Sequence, residues 1–322
     1  MKKIIFLVFL VSLSNLTSQS SIDCNSNLSI FAEYYKVKNY EAAYEPWMSV
    51  RKECPKINPA IYFQGSRMLD EFIKKSEGET KNAYQKDLLK LYDEWLINFP
   101  AYNGRSIVGQ IMSNKAQKMI DYKLASKSEI FTLFEDAYQT DPLSFDDPKP
   151  LYSYFKTYFE LYKDGENDIT LNQIFNKYEE LSERYNSIID DYSKQIDIII
   201  NKENSGIALT SREKRNKRVY EINSNASNIY LRNLNAIIAK ESTCENLIPL
   251  YRKNLEENKT NPVWLNRAAS RMDSKECSDD PLFVVLVELL HNLNPSANSA
   301  YYLGLLNDKK NNSEEALKFY NE

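Results

Sequence analysis

The sequence predicts an all-α fold of helices paired in antiparallel hairpins and stacked as a solenoid, with one longer helical hairpin inserted among them. Three observations predict it. Apolar residues recur at helical spacing along most of the 322 residues. Seven glycines and eleven prolines are few for a turn-rich sandwich or barrel. Two cysteine pairs, Cys24/Cys54 and Cys244/Cys277, each bracket a helix–turn–helix stretch of nearly the same length.

In residues 24–55, CNSNLSIFAEYYKVKNYEAAYEPWMSVRKECP, a stripe of Ile30, Tyr34 and Val37 is expected on one helix and Ala43, Trp47 and Val50 on the next. Ala43 allows close approach, and Tyr34 and Trp47 are expected to fill the groove around it. Pro46 removes a backbone bond inside the second helix and is expected to bend it. In an antiparallel hairpin the start of one helix lies beside the end of the other, which puts Cys24 and Cys54 within disulfide reach. Four cysteines allow three pairings, and the repeated spacing favours Cys24–Cys54 with Cys244–Cys277. The plainer alternative is a set of small buried residues. No CxxC pair occurs and the chain has one histidine, so no metal site is expected.

Residues 1–20 read as a secretory signal: Lys2 and Lys3, an apolar run over 4–13, and Ser18-Gln19-Ser20 as the cleavage region, cut after Ser18 or Ser20. The run is short for a membrane span. Ser21-Ile22-Asp23 before Cys24 is not the Leu-small-small pattern of a lipoprotein. The expectation is an exported protein, periplasmic or secreted, where disulfides persist. A net charge of −4 gives no global attraction for nucleic acid or an anionic membrane, and neither is an expected partner. No later segment reads as a membrane span once the signal is removed.

Domain expectations follow the pattern. Residues 21–166 hold the first helical repeats. Within them Gly65 is a small residue where helices cross, Leu88, Tyr92, Trp95 and Phe99 share a face, and Ser126 with Glu129 forms a capping box. Ile130, Phe134, Ala137 and Pro142 follow that box, and the helix after Pro150 carries aromatic residues nearly all round. Residues 167–241 hold the long hairpin. Its first helix carries a heptad-like seam of Leu171, Ile174, Tyr178, Leu181, Tyr185, Ile188 and Tyr192. Its second starts at the Thr210–Glu213 capping box and carries Val219, Ile222, Ala226 and Ile229 as an apolar stripe. The basic run 212–218 is expected to be a solvated face opposite Glu179, Glu180 and Glu183. Residues 242–322 hold the last repeats, ending in a register of Ala300, Leu303, Gly304, Ala316 and Tyr320 that stops about one turn short, as in a fragment of a longer array.

These registers resemble the tetratricopeptide repeat (TPR). With Cys24 as position 1, Ile30, Tyr34, Ala43, Trp47, Val50 and Pro55 take positions 7, 11, 20, 24, 27 and 32. Phe134 and Ala137, and then Gly304, Ala316 and Tyr320, take the corresponding places in 111–142 and 297–322. Phe31 departs from the pattern, standing where a small residue is usual. The chain is similar to exported TPR-containing proteins of the flavobacterial (Bacteroidota) type, in its signal, its CNSNLSIFAEYYKVKNYEAAYEPW opening and its CENLIPLY and KECSDDPLF stretches. The resemblance implies a right-handed α-solenoid of TPR-like helix pairs, acting as a non-enzymatic scaffold that binds other exported or envelope proteins.

No G-x-S-x-G, P-loop or G-x-G-x-x-G is present, and no cofactor is expected. His291 stands on an apolar helix and is expected to pack or cap. Asp146/Asp147, Asp190/Asp191 and Asp279/Asp280 are expected to be solvated or to cap helices, not to form an acid–base pair on a glycan. The second function class is a glycan-binding helical protein, which would expose Trp47, Trp95 or Trp264 as a stacking platform. No catalytic set is expected.

Overall fold

A computed structural model describes residues 23–166 and 168–321. The expected signal at 1–20 lies outside the described residues. The chain is all-helical: 14 helices and one short β-hairpin occur among the described residues. It divides into two compact units, one up to Ile107 and one from Val108.

The first unit pairs α1 (Cys24–Lys36) with α2 (Tyr40–Glu53) and α3 (Ala60–Lys75) with α4 (Gly78–Asn98). Cys24 and Cys54 are joined at a Cα separation of 6.2 Å. Asn27 donates to the Ser49 hydroxyl (3.2 Å), which also sets the start of α1 beside the end of α2. Those two ties decide which face of α1 turns inward. It is the face of Cys24, Asn27, Phe31 and Tyr35, so Phe31 is buried and Ile30 and Val37 are exposed. Tyr34, expected in the groove, is 40% exposed. Ala43, Trp47 and Val50 are buried as expected, and α2 continues through Pro46. Between α3 and α4, Tyr62 stacks on Trp95 and meets Phe99, while its hydroxyl donates to Pro55 O (2.9 Å) and accepts from Asn98 (2.8 Å).

The unit ends in β1 (Ala101–Tyr102) and β2 (Arg105–Ser106), an antiparallel hairpin turned at Asn103-Gly104, both with positive φ. Asn-Gly is the dipeptide such a turn favours.

Four of the helix ends use no glycine. Lys38, Lys123, Glu276 and Asn311 adopt φ of 56–59°, and the following amides return to carbonyls five residues back, as in Asn39 N–H to Tyr34 O. A side chain at such a φ costs about 1 kcal/mol that glycine avoids. We therefore expect Lys38→Gly to raise the thermal midpoint slightly, whereas Lys38→Val lowers it.

The second unit contains α5 (Val108–Tyr122), α6 (Lys127–Thr140), α7 (Pro148–Asp164), α8 (Leu171–Asn204), α9 (Ser211–Ala239), α10 (Cys244–Asn258), α11 (Pro262–Ser274), α12 (Pro281–Leu293), α13 (Ala297–Lys309) and α14 (Ser313–Tyr320). One contiguous core runs from Ala116 to Leu306. Phe134 and Ala137 are buried in it, Phe134 against Phe145 and Tyr154. Capping boxes start α6 at Ser126 and α9 at Thr210, as expected, and α8 at Thr170.

The helices α8 and α9 run antiparallel, tied by Tyr178 to Asn235 (2.8 Å), Asn223 to the Tyr192 hydroxyl (3.2 Å) and Lys202 to Glu213 (2.5 Å). This pairing corrects the expected stripe on α9. Val219, Ile222 and Ile229 are exposed, and the buried side chains are Ser227, Leu234 and Ile238. The part-buried tyrosine hydroxyls of α8 need polar partners, and meeting Asn223 and Asn235 rotates the stripe outward.

Cys244 and Cys277 are joined across α10 and α11 at a Cα separation of 5.5 Å. In α13 and α14, Ala316 is buried and a Cβ on Gly304 would fall inside the Tyr320 ring. Tyr320 packs there by one face only: it remains half-exposed, and its hydroxyl donates to Asp308 (2.8 Å).

Candidate functional site

Trp47 is fully buried, with Nε1 donating to Ile61 O (2.8 Å) and the Arg51 guanidinium 5.0 Å from its ring centre. Arg51 is itself buried between Asp87 (2.9 Å) and Glu94 (2.7 Å), bonds that hold its charge despite the burial. Trp95 and Trp264 are half-buried, packed on Tyr62, Tyr92 and Tyr251. His291 shares a hydrogen bond with Ser299 (3.1 Å) and sets its ring edge on Phe319.

The aspartate pairs divide into structural roles. Asp147 caps α7 by accepting from Lys149 N (3.2 Å), and Asp280 caps α12 by accepting from Leu282 N (2.8 Å). Asp190 and Asp279 pair with Lys194 and Lys309. Asp146, however, is part-buried, neither solvated nor a cap as expected. Burial pushes the Asp146 carboxyl up to about 6; Arg184 works against that rise and Asp147 adds to it.

A carboxyl raised in the folded state binds its proton more tightly than in the unfolded chain. Its cost to stability is absent below about pH 4 and complete above about pH 6. Stability should therefore fall as pH rises through that window. We expect Asp146→Asn to be close to neutral near pH 4 and stabilising at pH 7, by at most about 3 kcal/mol. Urea titrations at both values check this, and equal effects at the two would contradict it.

A groove of about 530 Å³ in the second unit lies where α8, α9 and α11 meet. Three helices supply it: Ser182 and Asn186 from α8, Asn235 from α9, and Asn266, Ser270 and Ser274 from α11. The packing of α8 on α11 centres on Glu179, which accepts from Arg267 (2.7 Å) and Arg271 (2.9 Å). Glu183 takes the other arm of Arg267 (3.1 Å). These pairs correct the expected placement of Glu179 and Glu183 opposite the basic run. Within that run, Lys217 pairs with Glu203 instead (2.6 Å).

Burial works against the Arg271 charge, but Tyr251, Glu179 and Tyr178 hold its guanidinium above the ordinary value. Arg271 thus keeps its charge, and both arginines are paired with carboxylates from within. Beside the apolar Leu231, Ile238 and Ala239, and Lys275, whose Nζ donates to Ala239 O (3.2 Å), the groove offers amides and hydroxyls. Ser182 is 4% exposed and its hydroxyl has no protein partner.

Chemically, amides that donate and accept on one wall suit a ligand that does the same, such as a peptide backbone. Among the described residues no group of three or more His, Cys, Asp or Glu side chains is placed to hold a metal ion, and no helix is long and apolar enough to cross a membrane. No protein-family model matches the chain, and no curated protein matches it in sequence.

Proposed function

We propose that this chain is a non-enzymatic, exported scaffold of the TPR type, whose groove between α8, α9 and α11 holds an extended segment of another exported protein. The observation that carries the reading is the lining of that groove: amides and hydroxyls over the apolar Leu231, Ile238 and Ala239, with the Arg267 and Arg271 charges already answered by Glu179 and Glu183 and Lys275 held on Ala239 O. An extended segment presents alternating N–H and C=O groups, which Asn186, Asn235 and Asn266 complement without demanding a particular side chain. The helix-pair order supports the solenoid part of the proposal, as do small residues at two crossings, Gly65 under Trp47 and Gly304 under Tyr320. Export is supported by the two disulfides, which persist in oxidising compartments.

The test is selection of unstructured peptides from a displayed random library on the purified chain. Enriched peptides should lose binding to a variant carrying Asn186→Ala and Ser274→Tyr, which removes one amide and fills the groove, with the helical circular dichroism unchanged. Enrichment of peptides that bind the variant equally would contradict the groove assignment. The second reading, glycan binding, gains nothing from the tryptophans, since Trp47 is buried and the other two are packed. One observation favours it: a lysine-rich pocket walled by tyrosines.

A further inference from the structure

A second pocket, about 430 Å³, lies among α5, the start of α6, α7 and Tyr230 of α9. Its charge runs against that of the chain. Lys123, Lys127, Lys149 and Lys156 line it, against two carboxylates, Asp121 and Glu160. Both carboxylates are shared among the lysines: Lys149 bonds Asp121 (2.8 Å), and Lys156 and Lys127 lie 3.7 and 3.9 Å from Glu160. Lys127 is drawn more closely to Asp164 (2.5 Å). Lys123 has no carboxylate partner among the described residues. With Asp164 counted against Lys127, the pocket carries an excess of one positive charge in a protein of net charge −4.

At its floor is Gln117, 5% exposed. Its Nε2 donates to Asp121 (2.9 Å), the same carboxylate that Lys149 grips, and this fixes which way the amide points. The other end, Oε1, is buried with no protein partner. A buried acceptor without a donor is costly, and a ligand donor relieves the cost. A fully deprotonated anion has no donor to give. The wall is aromatic, with the rings of Tyr152 and Tyr230 5.5 Å apart, and is extended by Ile120 and Ile130. The size is that of small-molecule pockets, roughly 300–1,000 Å³.

We propose that this pocket binds an anionic sugar: a hydroxylated ring bearing a carboxylate or a phosphate. The charged group lies among Lys123, Lys149 and Lys156, one ring hydroxyl donates to Gln117 Oε1, and the C–H face of the ring lies on Tyr152 and Tyr230. The assignment uses different residues from the peptide groove and stands or falls separately from it.

Calorimetric titration of the full chain at low salt tests it with five probes: digalacturonate, glucose 6-phosphate, galactobiose, free glucose and inorganic phosphate. An anionic sugar should bind saturably and lose affinity as salt is raised. The neutral sugars and inorganic phosphate should bind at least about tenfold more weakly, since the former lack the charge and the latter lacks the ring that lies on Tyr152 and Tyr230. Preference between the first two probes assigns the anion as carboxylate or phosphate. Gln117→Met should abolish most of the binding while leaving the thermal midpoint nearly unchanged, because the lost amide had one end unpaired. Lys123→Gln and Lys156→Gln, on the rim, should each weaken binding about tenfold and flatten the salt dependence. Saturable binding of neither anionic sugar would overturn the proposal. So would binding that the two rim variants leave intact, or inorganic phosphate binding as tightly as the sugars.

Discussion

Gly65→Ala is expected to destabilise the first unit by about 2 kcal/mol, although alanine is the better helix former. The sign depends on two opposed effects. Replacing a mid-helix glycine by alanine ordinarily gains about 0.5–1 kcal/mol. Here the added Cβ would stand 2.6 Å from Trp47 Nε1 and 2.7 Å from the adjoining ring carbons. The indole has no room to withdraw. Its Nε1 is bonded to Ile61 O, Arg51 covers one face, and Tyr44 packs 5.7 Å away. Overpacking of that kind costs about 1–3 kcal/mol and can exceed it, so the clash outweighs the helix gain. Thermal unfolding followed by tryptophan fluorescence should show the loss, reported by Trp47 and Trp95. A midpoint at or above that of the parent would mean that α2 and α3 do not cross at this glycine.

The second large effect is expected from Cys244→Ala with Cys277→Ala. The bridge closes a loop across a sequence separation of 33 residues around α10 and α11. In the chain-entropy account, opening such a loop costs about 4 kcal/mol. Cys277 is buried in the main core, so the variant also thins the packing there. The expected result is a large fall in the urea midpoint of the second unit. Removal of Cys24–Cys54 should act more locally. The buried side chain of α1 is Phe31 alone, so the bridge and the Asn27–Ser49 bond do much of the holding. Proteolysis of the reduced protein should cut first in α1. Equal sensitivity of the whole first unit would contradict that division.

Much of this architecture was legible in the chain. Helical spacing and scarce glycine give the all-helical class, and nearly equal cysteine separations, 30 and 33 residues, give both bridges. The Ser126 and Thr210 caps and the crossing at Gly65 can be read from single residues. The face of α1 could not. Ile30 and Phe31 are both apolar and one helical step apart, and the choice between them is made by contacts of Cys24 and Asn27 with α2. The stripe on α9 misleads for a related reason. Its apolar residues are real, but the hydroxyls of Tyr178 and Tyr192 select the asparagine face instead. Asp146 reads as a loop carboxylate, and only the approach of α8 buries it.

Neither groove is visible as a motif. Ser182, Asn235 and Asn266 come from three helices, and Gln117 follows Ala116 as an ordinary polar residue. One trace does exist in each case: a polar side chain set among core positions, Ser182 after Leu181 in the seam of α8 and Gln117 beside the buried Ala116. A polar residue at a core position is costly unless something meets it.

The central claim is that the groove between α8, α9 and α11 holds a segment of another exported protein. A photo-crosslinking side chain placed at Asn186 or Ser274, in the cells that make this protein, tests it most directly. Placement at Glu256 on the exposed side of α10 serves as the control. The account predicts that both groove positions join to the same exported protein, that the control does not, and that a peptide selected on the groove competes the adduct away. Adducts that form equally from all three positions, or none from the groove, would contradict it.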